Sequence, residues 1–142
     1  MHNEALPTAS SRWQDIAILV ARLVYVLVFA MALAFKLMDI RATAGFISAA
    51  GFPAPLALAC LAALFEAALL LCLASGVYYR PAALAAGAYI VFLAFAFHGP
   101  SKWTGNQVEF GFFVDHFTFL AGLLYAAVHG PGRLGVFKGW RT

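Results

Sequence analysis

Residues 55–77 read PLALACLAALFEAALLLCLASGV, a run of hydrocarbon side chains with one acid, Glu66, near its middle. A run of this length and apolarity is typical of a helix that spans a bilayer. A carboxylic acid at that depth is costly, so we expect it to face the interior of a helix bundle and to have a function. The other spans must supply the side chains that surround Glu66.

The composition of the whole chain agrees with a membrane protein. Of its 142 residues, 64% are hydrophobic and 11% are charged, whereas soluble domains carry about 25% charged residues. We therefore expect a single integral membrane domain over residues 1–142, with the lipid bilayer as its main partner. The formal net charge is +3, and no basic patch interleaved with aromatic residues indicates a nucleic-acid partner.

Hydrophobic runs and turn residues predict an all-α fold, a four-helix transmembrane bundle with spans at about 16–38, 55–77, 82–98 and 110–129. Between the first two spans, residues 39–54 have apolar side chains at helical spacing. This pattern predicts a short amphipathic helix that lies in the membrane interface and ends at Gly51. Residues 1–12 read as a short polar tail.

The distribution of lysine and arginine predicts the orientation. One side of the predicted bundle carries Arg12, Arg80, Arg133, Lys138 and Arg141, and the other carries Lys36, Arg41 and Lys102. The richer side is expected to be cytoplasmic, which places both termini in the cytoplasm. Arg22 lies one to two turns inside the first span, and we expect its side chain to snorkel back to that surface.

Ionisable residues concentrate in the outer half of the predicted bundle. Glu66 lies about 16 Å below the outer edge, Lys36 and His98 lie near that edge, and Asp115 and His116 lie roughly 7–9 Å below it. The four spans therefore predict a polar pocket that opens outward. In it, Glu66 and His116 are candidates for proton transfer, and Lys36, His98 and Asp115 are candidates for ligand binding.

Each of these residues also has a purely structural interpretation. His98 and His116 are ordinary residues at a membrane interface, Asp115 caps its helix or faces headgroups, and Glu66 bonds to another helix. Because no span has an HxxxH or ExxH spacing, we expect neither a metal nor a haem centre. Cys60 and Cys72 lie twelve residues apart on one helix, so they do not bridge each other.

Several short motifs share their order and spacing with a known family. They are AFKLMD at 34–39, GFISAAGFP at 45–53, YRP at 79–81, FHG at 97–99, LAGLL at 120–124 and HGPGRLG at 129–135. Over roughly residues 16–136 the chain resembles the DoxX family of small four-helix bacterial membrane proteins. In two places it departs from the family pattern. Ala32 or Ala34 stands where a glycine is usual, and Asp115 and His116 stand where a Lys-Asn pair is common.

The resemblance implies a multi-pass protein of the bacterial inner membrane with quinone-linked redox or oxidative-stress chemistry. Relatives include a subunit of thiosulfate:quinone oxidoreductase. The first hypothesis is thus a quinone-linked oxidoreductase subunit, with quinone as a non-covalent ligand and a separate redox partner. The second is a non-catalytic anchor that docks through the small-residue face AALAAGAY at 82–89. The third is a small proton-coupled transporter.

Overall fold

The computed structural model of the protein describes residues 12–134, which are helical apart from short connections. The helices are α1 (Arg12–Met38), α2 (Ile40–Ala49), α3 (Pro55–Ser75), α4 (Tyr79–His98) and α5 (Gln107–His129), with a 3₁₀ turn at Pro100–Lys102. Within these residues α1, α3, α4 and α5 are each long and apolar enough to cross a membrane. The predicted all-α class is therefore confirmed. The interfacial position of α2 and the cytoplasmic location of the termini stay predictions, and the predicted tail lies outside the described residues except for Arg12.

Local side-chain chemistry decides where several helices begin and end. The Asp39 carboxylate accepts a hydrogen bond from the Ala42 backbone N–H at 2.9 Å and caps α2. The Asn106 side chain accepts one from the Glu109 N–H at 3.3 Å and caps α5. At the end of α3, Gly76 adopts a φ of 81° and its N–H donates to the Cys72 carbonyl at 2.9 Å.

Three helices begin earlier than the predicted spans: α1 starts at Arg12 rather than at residue 16, and α4 and α5 each start three residues early. α4 starts at Tyr79 rather than at residue 82, because a proline at position 81 lies in the first helical turn, where its missing N–H breaks no hydrogen bond. α5 starts at Gln107 rather than at residue 110, because Asn106 caps it. The earlier start of α5 places Glu109 in the first turn of a helix and not in a loop.

The four long helices form a bundle with a dense inner half. We call the end that carries α2 and residues 99–106 the outer end, and the end that carries Gly76 and Gly130 the inner end. α1 and α2 pack on α3, and α4 packs between α3 and α5. The core draws side chains from all four long helices, and it includes Phe29, Leu69, Leu73, Tyr79, Ala83 and Leu123. Most of them lie toward the inner end.

The small-residue face of the third span is buried inside the bundle. Ala82, Ala83 and Ala86 are buried, and a Cβ at Gly87 would lie 3.1 Å from Leu120 Cδ1 of α5. The small side chains let α4 and α5 approach closely. The prediction that this face docks a partner is therefore wrong, because α5 already covers it.

Arg22 does not snorkel to the surface as predicted. Its side chain is only 3% exposed, and Nη1 donates to the Pro131 carbonyl oxygen at 2.9 Å. A Cβ at Gly76 would lie 3.3 Å from Pro131 and 3.8 Å from the same guanidinium nitrogen. Arg22 therefore stabilises the inner end, where the C-terminal ends of α3 and α5 converge and offer partial negative charge.

Candidate functional site

Glu66 lies near the middle of α3 and its side chain is 2% exposed. Its Oε1 accepts two interactions, an ion pair with Lys36 Nζ at 3.0 Å and a hydrogen bond from the Tyr89 hydroxyl at 2.8 Å. Its Oε2 is buried and has no hydrogen-bond partner among residues 12–134. Three spans thus meet at one carboxylate oxygen, as expected for a costly acid that faces the bundle interior.

Lys36 comes from the last turn of α1, yet its ammonium group reaches the middle of α3. Side chains on a helix lean toward its N-terminus, which here directs Lys36 away from the outer end and into the bundle. Its side chain is 20% exposed, so the ion pair keeps one open side. Lys36 also lines a cavity in the outer half of the bundle.

Tyr89 completes the group, and sequence reasoning missed it. Its ring packs edge-on against Phe65, with ring centroids 5.2 Å apart, and its hydroxyl points to Glu66. Tyrosines in membrane proteins are usually read as anchors at the interface. Tyr89 is instead in the middle of α4, and a polar group at that depth is the signal that should have marked it.

A cavity of about 810 Å³ lies in the outer half of the bundle, between α1, α2, α3 and α4. Its polar lining consists of Lys36, Asp39, Thr43 and Tyr89, and the rest is apolar. The apolar lining is formed by Ala32, Phe35, Ala42, Phe46, Ile47, Phe52, Leu58, Leu61, Ala62, Phe65, Phe92, Leu93 and Phe97. Pockets for small molecules generally have this make-up, with a few polar groups in an apolar wall.

The connection between α2 and α3 covers the outer end of this cavity. The Phe52 ring contacts Phe92 and Phe97 of α4, with centroid distances of 5.9 and 6.2 Å. α2 adds Phe46 and Ile47 to the lining. The segment predicted as a short amphipathic helix thus has a defined place in the fold, next to the cavity.

The two histidines form a separate cluster between α4 and α5. His98 Nδ1 lies 2.7 Å from Glu109 Oε2, and each of these side chains is about a quarter exposed. The ring centroids of His98 and His116 are 5.3 Å apart. His116 Nδ1 lies 2.6 Å from the Phe112 carbonyl, so Nδ1 carries the proton and Nε2 is free to accept one.

The five predicted site residues therefore divide into three places. Lys36 and Glu66 are joined, His98 and His116 lie together but do not line the cavity, and Asp115 is exposed on α5. The division follows from packing, because α5 contacts α4 and none of its residues reaches the cavity. Residues at similar predicted depth need not share one pocket.

No group of three or more histidine, cysteine, aspartate or glutamate side chains is arranged to hold a metal ion within residues 12–134. In the same part of the chain, Cys60 and Cys72 are free thiols. What the site offers is a buried carboxylate with a cation, a phenol and an apolar cavity beside it.

Comparison with known protein families gives a match that covers more than half of the chain. The sequence profile of the DoxX family matches residues 17–99. This range contains Lys36, Glu66, Tyr89 and the cavity lining, and it ends before α5 begins. No curated protein and no solved structure matches the chain.

Proposed function

The chain belongs to the DoxX family, and on that premise we propose that it binds a quinone or hydroquinone in the cavity between α1, α2, α3 and α4. The polar end of the ligand would contact Lys36 and Tyr89, and Glu66 would exchange protons with it through these two side chains. The quinone-linked redox role comes from the family resemblance. The cavity beside Lys36 and Tyr89 supports the choice of this place for the ligand.

One observation carries the proposal: both side chains that hold Glu66 Oε1 also line the cavity. Glu66 itself is sealed in the bundle, so a ligand reaches its charge only through Lys36 or Tyr89. The phenylalanine rings at positions 35, 46, 52, 65, 92 and 97 supply an aromatic wall for a flat ring. A volume of about 810 Å³ is in the range of small-molecule pockets.

The hydrogen bonds suggest how a proton would move. The Tyr89 hydroxyl donates to Glu66, so its oxygen can accept a hydrogen bond from a hydroquinone hydroxyl. When the ligand proton passes to Tyr89, the Tyr89 proton passes to Glu66. Lys36 has three N–H donors and uses one on Glu66, which leaves donors for an oxygen of the ligand.

Oxidation of a hydroquinone to a quinone releases two protons and two electrons. Glu66 accepts one proton, and the second leaves by another route. The electrons pass to a redox partner, which we propose as a separate protein. His98 and His116 lie outside the cavity, so we propose for them proton exchange with the outer surface, with His116 Nε2 as the accepting atom. Asp115 is exposed on α5 outside the cavity and would not contact the ligand.

The test is equilibrium binding of a short-chain benzoquinone to purified protein in detergent. Tyr89→Phe should weaken binding about tenfold, because it removes the hydroxyl that contacts the ligand. Glu66→Gln should also weaken it, because it removes the negative charge that holds Lys36 beside the cavity. Glu109→Gln is the matched control, since it makes the same chemical change outside the cavity and should leave binding unchanged. Thermal unfolding of each variant shows whether it is folded. Unchanged affinity in both folded cavity variants would contradict the proposed site.

A further inference from the structure

Asp115 is an exposed carboxylate in the outer half of the membrane-spanning helix α5. It lies eight residues after Gln107, about 12 Å along α5. The 23 residues of this helix span about 34 Å, and the hydrocarbon core of a bilayer is about 30 Å thick. Asp115 is exposed, and no described side chain makes a hydrogen bond or ion pair with it. An aspartate is too short to reach the headgroups from this depth, so a bare lipid environment is very costly for it.

The face of α5 that bears Asp115 is covered by α1 at one end only. Residues four and seven positions apart share a helix face, so Asp115 shares its face with Phe119 and Gly122. There the Tyr25 hydroxyl of α1 donates to the Phe119 carbonyl oxygen at 2.9 Å, and a Cβ at Gly122 would overlap that hydroxyl. One turn toward the outer end from Asp115, a Cβ at Gly111 would meet nothing within 4 Å.

We propose that the outer half of this face, with Gly111, Asp115 and Thr118, docks a transmembrane helix of another protein that carries a lysine or arginine at the depth of Asp115. Gly111 lets the backbone of the partner helix approach closely. Thr118 is exposed on the same side and adds a hydroxyl. The basic side chain gives the carboxylate its counter-charge.

The distribution of cations argues against a second copy of this chain as the occupant. In the described residues, Lys36 is paired with Glu66 and Arg22 is buried under Pro131. The remaining cations, Arg12, Arg41, Arg80, Lys102 and Arg133, lie at helix ends or in connections. A symmetric dimer through this face would bring two Asp115 carboxylates together, and like charges repel.

The test uses a designed single-span helix of leucine and alanine, co-expressed with the full chain. It carries one lysine about 12 Å from its outer end. We expect capture of the tagged chain in mild detergent to recover about tenfold more of this helix than of the same helix with leucine in place of lysine. A third helix, with the lysine near the inner end, should be recovered like the leucine helix.

Variants of the full chain show whether Asp115 is responsible. Asp115→Asn should reduce recovery of the lysine helix to the level of the leucine helix, and Asp115→Glu should retain it. Glu109→Gln, a carboxylate change more than one and a half turns away on the same helix, should have no effect. Equal recovery of the lysine and leucine helices, full recovery with Asp115→Asn, or an Asp115-dependent homodimer would each overturn the proposal.

Discussion

Glu66 pairs with a cation from α1 and a phenol from α4, and this arrangement makes its environment sensitive to single substitutions. Removing one partner of a buried ion pair leaves the other charge without compensation, whereas replacing both partners by apolar side chains removes the problem. Comparing the single and the double replacement therefore separates the contribution of the Lys36–Glu66 pair to stability from its contribution to ligand binding.

Lys36→Met should therefore lower the free energy of unfolding by about 3 kcal/mol. The double variant Lys36→Met, Glu66→Leu should recover most of that loss, because it buries no charge. Thermal unfolding in detergent measures both. If the double variant binds the benzoquinone as tightly as the native chain, Lys36 and Glu66 do not contribute to ligand binding. If Lys36→Met has native stability, the ion pair is not a buried one.

Asp39 affects local stability only, and its effect is confined to the short helix α2. Its carboxylate caps α2, and loss of a cap costs about 1 kcal/mol. Asp39→Ala should therefore increase hydrogen exchange in residues 40–49 while exchange in α3 stays unchanged. Asp39→Ser keeps a capping oxygen and should exchange like the native chain. Equal exchange in α2 of the alanine variant would contradict a role for this cap.

The contact between α1 and α5 depends on a glycine at one position and not at another. Gly122→Ala should destabilise the protein by about 1–3 kcal/mol, since the added methyl group overlaps the Tyr25 hydroxyl. Gly111→Ala on the same helix meets no atom within 4 Å, and it should be neutral or stabilising because alanine is the better helix former by about 1 kcal/mol. Melting temperatures of the two variants in one detergent provide the comparison. Similar destabilisation by both would mean that helix propensity or lipid contact matters more than the α1–α5 approach.

The spans themselves were predictable, because hydropathy and length are strong signals that depend only on local sequence. The starts of α4 and α5 were missed by three residues each, since Pro81 and Asn106 act through helix-end geometry. The importance of Glu66 also followed from its depth alone. Of its two partners, Lys36 is also predicted as a site residue from the sequence. The contact of Tyr89 with Glu66 is not predictable, because it depends on how α3 and α4 face each other.

The predicted pocket shows what depth alone does not decide. Depth gives the position of a side chain along the membrane normal, and helix rotation and neighbour order decide which side chains meet. His98 and His116 do meet, at 5.3 Å, but on the side of α4 that faces α5. Arg22 was expected at the surface because its length permits snorkelling, yet the loop at Pro131 provides a buried acceptor that no local pattern reveals.

The whole molecule has a packed inner half and an open outer half. The core holds the inner ends of the four long helices together, and Arg22 joins α1 to the chain beyond α5. The cavity and the histidine cluster lie toward the outer end, as does Asp115. The packed inner half thus supports the outer half, which carries the candidate site. The orientation of the bundle decides from which side of the membrane a ligand, proton or partner enters.

The pairing of Lys36 with Glu66 strengthens the predicted orientation, because it removes one cation from the outer side. Within residues 12–134, Arg41 and Lys102 then remain there, against Arg12, Arg80 and Arg133 on the other side. We expect the side with more free cations to be cytoplasmic. In a background with Cys60 and Cys72 replaced by alanine, Ser101→Cys should react with a membrane-impermeant maleimide in intact cells, whereas Arg133→Cys should react only after permeabilisation. The opposite pattern would place the cavity on the cytoplasmic side, and a quinol bound there would release its protons inward.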